Sequence, residues 1–238
     1  MIRLLALWLA GLGIMTACAK PKAQPVRLAA ASSFGPAAKQ IATLMPQHCA
    51  ARLNISTGPT GRLTTQIRNG APFDVFVAVG KGAAAHLNQG GGVNDSTVIA
   101  QSPLVLWQPE GTSGKTGVLA LARAGVAPYG AAAEQALAHM KGRADWPLPP
   151  KRVYGQSAAQ AFAFAATGAA DAALVPLSLA RAGQVPKAQI RTVPSAWYAP
   201  VPTVALLLHK RTGARCLYDL LRSEALATLL REAGYPRS

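Results

Sequence analysis

Residues 26–33 read VRLAAASS, and residues 34–45 continue as FGPAAKQIATLM. The first run is short, apolar and bounded, as a buried strand is. The second repeats its apolar residues at helical spacing. Their junction places Ser32 and Ser33 at the mouth of a helix, where unpaired amides and the positive end of the helix dipole collect. Such a place holds an anion without a charged side chain. A second junction of the same kind follows: RLNISTG (52–58) reads as a strand, GPTG (58–61) as a tight turn and RLTTQIRNG (62–70) as a helix. Two strand-to-helix junctions, each ending in small hydroxyl or glycine residues, imply one oxyanion pocket.

The same alternation runs outward along the chain. DVFVAV (74–79) precedes the helical KGAAAHLNQ; VIAQSPLVLWQ (98–108) and VLALARA read as strands, and a helix follows over 130–140. KRVYG (151–155) leads into SAAQAFAFAATG, and DAALVP (171–176) into SLARAG. VPTVALLLHK (201–210) is the last strong strand, and residues 217–234 the last strong helix. Alternation at this spacing predicts an α/β fold of mixed, mostly parallel sheets flanked by helices. Two Pro-bearing stretches, SPLVLWQPEG (102–111) and AWYAPVPTVALLL (196–208), look like crossings between lobes. The expected organisation is one lobe of residues 26–103 plus 200–238 and a second of 104–199, with the ligand in the cleft between them near the strand C-termini.

The front of the chain addresses the compartment. Residues 1–17 contain Arg3 and the apolar run LLALWLAGLGIM, too short to cross a bilayer as a helix and suited to a secretion signal. Met15-Thr16-Ala17-Cys18 resembles the acylation box of bacterial lipoproteins, so Cys18 is the candidate lipid-bearing residue and residues 18–25 a tether. The alternative is an ordinary signal peptide cut nearby. The expected location is periplasmic or otherwise extracytoplasmic, anchored by lipid. In an oxidising compartment Cys49 and Cys216 read as a disulfide pair rather than two buried thiols.

Net charge is +15. The charges are scattered, with no dense Lys/Arg run and no interleaved aromatics, so a basic surface is a better reading than a nucleic-acid site. The loop from Gly111 to Thr116, GTSGKT, imitates a phosphate-binding P-loop, but that motif needs a glycine where this chain has Pro109. His48, His86, His139 and His209 lack metal-ligand spacing, no G-x-S-x-G elbow occurs, and Gly90-Gly91-Gly92 reads as a loop ending a helix. With nine Asp and Glu residues dispersed along the chain, no acid/base pair stands out. Nothing asks for catalysis, a metal centre or a cofactor. Asp74, where a loop enters a strand, is expected to accept loop amides or to pair with an arginine.

Taken together, LAAASSFGPAAKQIA, STGPTGRLTTQIRNGAPFDVFVAV, APYGAAAEQAL, YGQSAAQAFAFAATGAADAALVPLS and CLYDLLRSEALATLLREAGY resemble the molybdate-binding proteins of ABC transporters, within the bacterial type II periplasmic solute-binding proteins. AAAS and QI-x-x-GAPFDVF are the most specific matches. The resemblance implies a two-lobed periplasmic-binding-protein-like fold and an oxyanion held by neutral donors. It implies hydroxyl contacts from Ser32 and Thr60 and backbone N–H contacts from Tyr129 and Ala158. It also implies molybdate or tungstate as cargo, with an ABC permease and ATPase as partners. Pro59, Gly80, Gln156 and Pro176 depart from the family pattern around these positions. The rival readings are a binder of sulfate or of a non-oxyanion solute, and a sensor or enzyme built on the same fold.

Overall fold

A computed structural model describes residues 24–236; the expected signal segment 1–17, Cys18 and residues 19–23 of the expected tether lie outside the described residues. In chain order the first elements are β1 (Val26–Ala31), α1 (Gly35–Cys49), β2 (Leu53–Gly58), α2 (Thr60–Arg68), β3 (Val75–Val79), α3 (Gly82–Asn88) and β4 (Asp95–Gln101). The middle of the chain forms β5 (Leu104–Trp107), β6 (Val118–Ala122), α4 (Pro128–Met140), β7 (Lys151–Gly155), α5 (Ala158–Ala166), β8 (Ala172–Pro176), α6 (Leu177–Ala182) and β9 (Ile190–Thr192). It closes with β10 (Pro202–Leu207), α7 (Thr212–Leu221) and α8 (Glu224–Glu232).

Among the described residues the strands make two five-stranded sheets, ordered β2-β1-β3-β10-β4 and β7-β6-β8-β5-β9. β1 runs parallel to β2 and β3, and β6 parallel to β7 and β8; β10 and β5 are the antiparallel members. This is a two-lobed α/β fold in which the chain passes from the first sheet to the second at Ser102-Pro103 and returns before β10. The apolar run of 98–108, expected as one strand, is divided: β4 ends at Gln101 and β5 starts at Leu104 in the other sheet. Pro103 has no amide to give a ladder. The helix expected over 217–234 is likewise two. Ser223 accepts the Leu226 amide at 3.3 Å and so caps α8 as a new start.

Helices cover both faces of each sheet, which is why the central strands read as unbroken apolar runs. Leu28, Val75, Val77, Ala205 and Leu207 pack against α1, α7 and α8, while Phe76, Ala78, Val204 and Leu206 pack against α2 and α3. In the second sheet α5 and α6 pack on one face and α4 on the other. Complete burial of side chains such as Leu28, Phe76 and Leu174 stabilises the fold by about 1.5–3 kcal/mol each.

Two buried carboxylates fasten the sheet ends away from the cleft. Asp74 accepts the Arg27 amide at 2.7 Å and pairs with the Arg211 and Arg27 guanidinium groups, as its place at a loop-to-strand entry suggests. Burial pushes this carboxyl up, but the hydrogen bonds from Arg211 and Arg27 outweigh it and hold the group below its usual range. Asp171 accepts the Thr116 amide at 2.8 Å, the Thr116 hydroxyl at 2.7 Å and the Gly117 amide at 2.9 Å. Here too burial raises the carboxyl and the Thr116 and Gly117 hydrogen bonds bring it down overall. In the GTSGKT loop, donors that a P-loop would aim at phosphate are thus turned onto a buried aspartate of the chain itself.

Cys49, the last residue of α1, is joined to Cys216 in α7 with Cα atoms 5.7 Å apart, across 167 positions of sequence. The bridge lies on the α1/α7 flank of the first sheet.

Candidate functional site

Each of the four residues singled out for ligand contact stands at the start of a helical segment that follows a strand or loop. Ser32 opens the 3-10 turn Ser32–Phe34, directly after β1 and before α1. Among the described residues neither its hydroxyl nor that of Ser33 is committed to a hydrogen bond. Thr60 is the first residue of α2 and is buried. Its Oγ1 accepts the Val79 amide at 3.3 Å, which holds the rotamer and leaves the hydroxyl hydrogen free for a second acceptor.

Tyr129 is the second residue of α4, and Ala158 the first of α5. Their amides belong to first turns, which have no acceptor four residues back. At α5 the cap is built so that these donors stay available. Ser157 Oγ accepts the Gln160 amide at 3.2 Å, and Gln160 Oε1 accepts the Gln156 amide at 2.6 Å. The cap therefore occupies the amides of Gln156 and Gln160, two positions to either side of Ala158. Gln156, the departure noted at this helix start, joins the cap through its backbone.

The four segments meet. Ala31, Val79, Ala127, Tyr129 and Ala158 belong to one buried cluster that draws on both sheets. Thr60 enters it through Val79. The segment leading into α4 lies against the first lobe so closely that a Cβ on Gly80 would stand 3.1 Å from Pro128 Cγ, and one on Gly61 3.5 Å from the Val126 carbonyl oxygen. The turn Ser32–Phe34 in turn packs against α5 and α6. The helix starts that carry the Ser32 and Thr60 hydroxyls therefore pack against the second lobe, and that of α4 lies against the first. The arrangement presents hydrogen-bond donors and helix N-termini, the combination that stabilises a buried anion without a counter-charge.

Gly130 is a positioning residue that sequence reasoning passed over. Its Cβ would lie 2.4 Å from the Ala122 carbonyl oxygen and 2.7 Å from the Arg123 carbonyl carbon. Only glycine lets the first turn of α4 press onto the exit of β6, and that contact sets the Tyr129 amide in place. The signal was present in the spacing Pro128-Tyr129-Gly130. Ser102, buried in the crossing and bonded to the Tyr129 hydroxyl, was also missed. A serine before a proline carries no pattern that marks it.

Two lobes, a twice-crossing chain and neutral donors gathered between them define an extracytoplasmic solute-binding protein in form. Sequence comparison agrees: the family model described as bacterial extracellular solute-binding protein matches residues 26–236. The chain belongs to that family. Among its relatives, the molybdate-binding protein ModA of Azotobacter vinelandii is 33% identical over 94% of each chain. The protein of that name from Rhodobacter capsulatus is 32% identical over 87% of this chain and 86% of its own. Among solved structures, the Azotobacter vinelandii periplasmic molybdate-binding protein superposes with a TM-score of 0.77 at 24% identity, over 90% of this chain and 99% of that one. The sulfate-binding protein SubI of Mycobacterium tuberculosis superposes with a TM-score of 0.70 at 13% identity, over 90% and 86%. At such identities the structures speak for the fold alone.

Proposed function

We propose that this protein is the solute-binding component of an ABC importer and captures a tetrahedral oxyanion, molybdate or its close analogue tungstate. The observation that carries the reading is the convergence of Ser32, Thr60, Tyr129 and Ala158 from both lobes at helix starts. The ModA relatives, alike over nearly the whole chain, support the choice of ion. A dianion in a dry cleft needs several donors, and each hydrogen bond to a charged group contributes about 1.5–3 kcal/mol. Neutral donors avoid burying a fixed counter-charge, whose desolvation would offset much of the attraction. They also leave no strong acceptor for a protonated oxygen, so a fully deprotonated dianion is preferred to hydrogen phosphate.

The chain acts by binding and release, without chemistry on the ion. Export and a lipid tether at Cys18 complete the reading: detergent partition and a lipid mass on the N-terminal peptide support the tether, and an unlipidated N-terminus downstream of Cys18 rejects it. Isothermal titration of the purified protein with molybdate, tungstate, sulfate and phosphate tests the function. Heat and a melting shift with the first two ions, and weaker or no response to phosphate, are expected. No response to molybdate or tungstate overturns the assignment.

A further inference from the structure

Behind the four donors the lobes are tied together at Ser102, the first of the two residues between β4 and β5. Its hydroxyl donates to the Gly234 carbonyl at 2.9 Å and accepts the Ser178 amide at 2.9 Å. Its carbonyl accepts the Tyr129 hydroxyl at 3.0 Å. Tyr129 and Ser178 belong to α4 and α6 on the second sheet, whereas Gly234 follows α8 on the first. Next to Gly234, the Tyr235 hydroxyl donates to the Ser33 carbonyl at 3.0 Å, and its ring meets Phe34 edge-on at 5.7 Å between centroids. The two crossings are tied to each other as well: the Tyr198 hydroxyl accepts the Leu104 amide at 3.0 Å. Ser33, Ser102, Tyr129, Ser178 and Tyr235 are each no more than 5% exposed. A bond lost here is not replaced by water, and a buried donor left unmade is costly.

We propose that Ser102 and the Tyr129 side chain are positioning residues for ion capture, a latch that sets the closed arrangement from behind the site. The inference rests on the reading of the site given above. Tyr129 works at both ends. Its amide faces the ion, and its hydroxyl fixes the start of α4 to the crossing. From Ser102 the run continues through Gly234 and Tyr235 to the Ser33 carbonyl, one residue from the Ser32 hydroxyl. The two donor groups of the ion, one from each lobe, are thereby held to one hub. Swinging the lobes apart obliges Ser102 to give up its partners on one side. The latch therefore acts on escape of the ion more than on its entry. Its burial also keeps the Tyr129 hydroxyl a donor, since desolvation and the neighbouring Tyr235 and Tyr198 push its ionisation well above the usual tyrosine range.

Tyr129→Phe keeps the amide and the ring and removes only the hydroxyl; Ser102→Ala removes the hub's side chain. Stopped-flow tryptophan fluorescence with sodium molybdate separates entry from escape. Each variant is expected to raise the dissociation rate about three- to tenfold, the range set by one buried hydrogen bond, with the association rate nearly unchanged. The double variant is expected to fall short of the product of the single effects, because the residues share one network. Dissociation rates equal to the parent's in both single variants, or effects that multiply independently, overturn the latch. Small-angle scattering of the ion-free proteins supplies a readout that does not need the ion. A larger radius of gyration in Tyr129→Phe than in the parent supports the latch, and equal radii overturn it. Should the parent fail to respond to molybdate, the ligand assignment falls, while the scattering comparison still decides the latch.

Discussion

Ser32 and Thr60 have the simplest side chains able to do what is asked of them. Each offers one O–H at a helix start, and Thr60 has its rotamer fixed by the Val79 amide. Ser32→Ala and Thr60→Ala should each weaken molybdate binding by about 1–3 kcal/mol, read by titration. In thermal unfolding Ser32→Ala should leave the melting temperature nearly unchanged, whereas Thr60→Ala should lower it, because the buried Val79 amide loses its acceptor. Parent-like affinity in both would place the pocket elsewhere. Gly130→Ala acts differently. The added methyl meets backbone at 2.4 Å, so α4 must shift. Stability should fall by about 1–3 kcal/mol as in other overpacked sites, and affinity should fall with it. The hydroxyl half of the proposed site was legible as a pair of junctions, because strand-to-helix junctions leave a sequence trace. The amide half was not, since a backbone N–H has no side-chain signature; Tyr129 and Ala158 came only through resemblance, as did the choice of Thr60 within the second junction. Ser102 escaped because its partners lie far off in sequence, and Gly130 because its close approach to the exit of β6 shows only once the strand and helix are packed.

Among the elements, α1 and α7 are clamped by Cys49–Cys216 on the flank of the first sheet. Reduction, or Cys216→Ser, should lower stability by about 2–4 kcal/mol while leaving ion affinity unchanged, since neither helix supplies a proposed contact. Urea unfolding with and without reductant, beside titration, checks both halves; a change in affinity would mean that α1 moves with the site. Strand and helix order was readable from periodicity and from the turn chemistry between elements. Boundaries were less so. Residues 98–108 are apolar enough for one strand, and only Pro103 hints that β4 and β5 part there for different sheets. Residues 217–234 keep a helical period across Ser223, which restarts the helix rather than continuing it.

For the whole molecule, acid stability follows from two depressed carboxylates at opposite ends of the structure. Asp74 and Asp171 both titrate below their ordinary value when folded. The unfolded chain therefore binds protons more readily, and stability is fully present above about pH 4, the ordinary carboxylate value, and lost as pH falls through the folded values. Urea midpoints measured from neutral pH downward should stay level to about that point and then drop, and Asp171→Asn should flatten the drop. Constant midpoints into strong acid would contradict the assignment. The topology also dictates an order of assembly. β5 to β9 are contiguous in sequence, so their sheet can close as soon as that stretch has left the ribosome or a membrane pore. The other sheet cannot, because β10 lies between β3 and β4 and begins only at Pro202. β2, β1 and β3 can pair among themselves, but β3 and β4 must each wait for the neighbour they share until nearly the whole chain has emerged. A premature stop after residue 200 would thus remove an inner strand of a sheet rather than shorten an end, and would leave β4 with no strand to pair with.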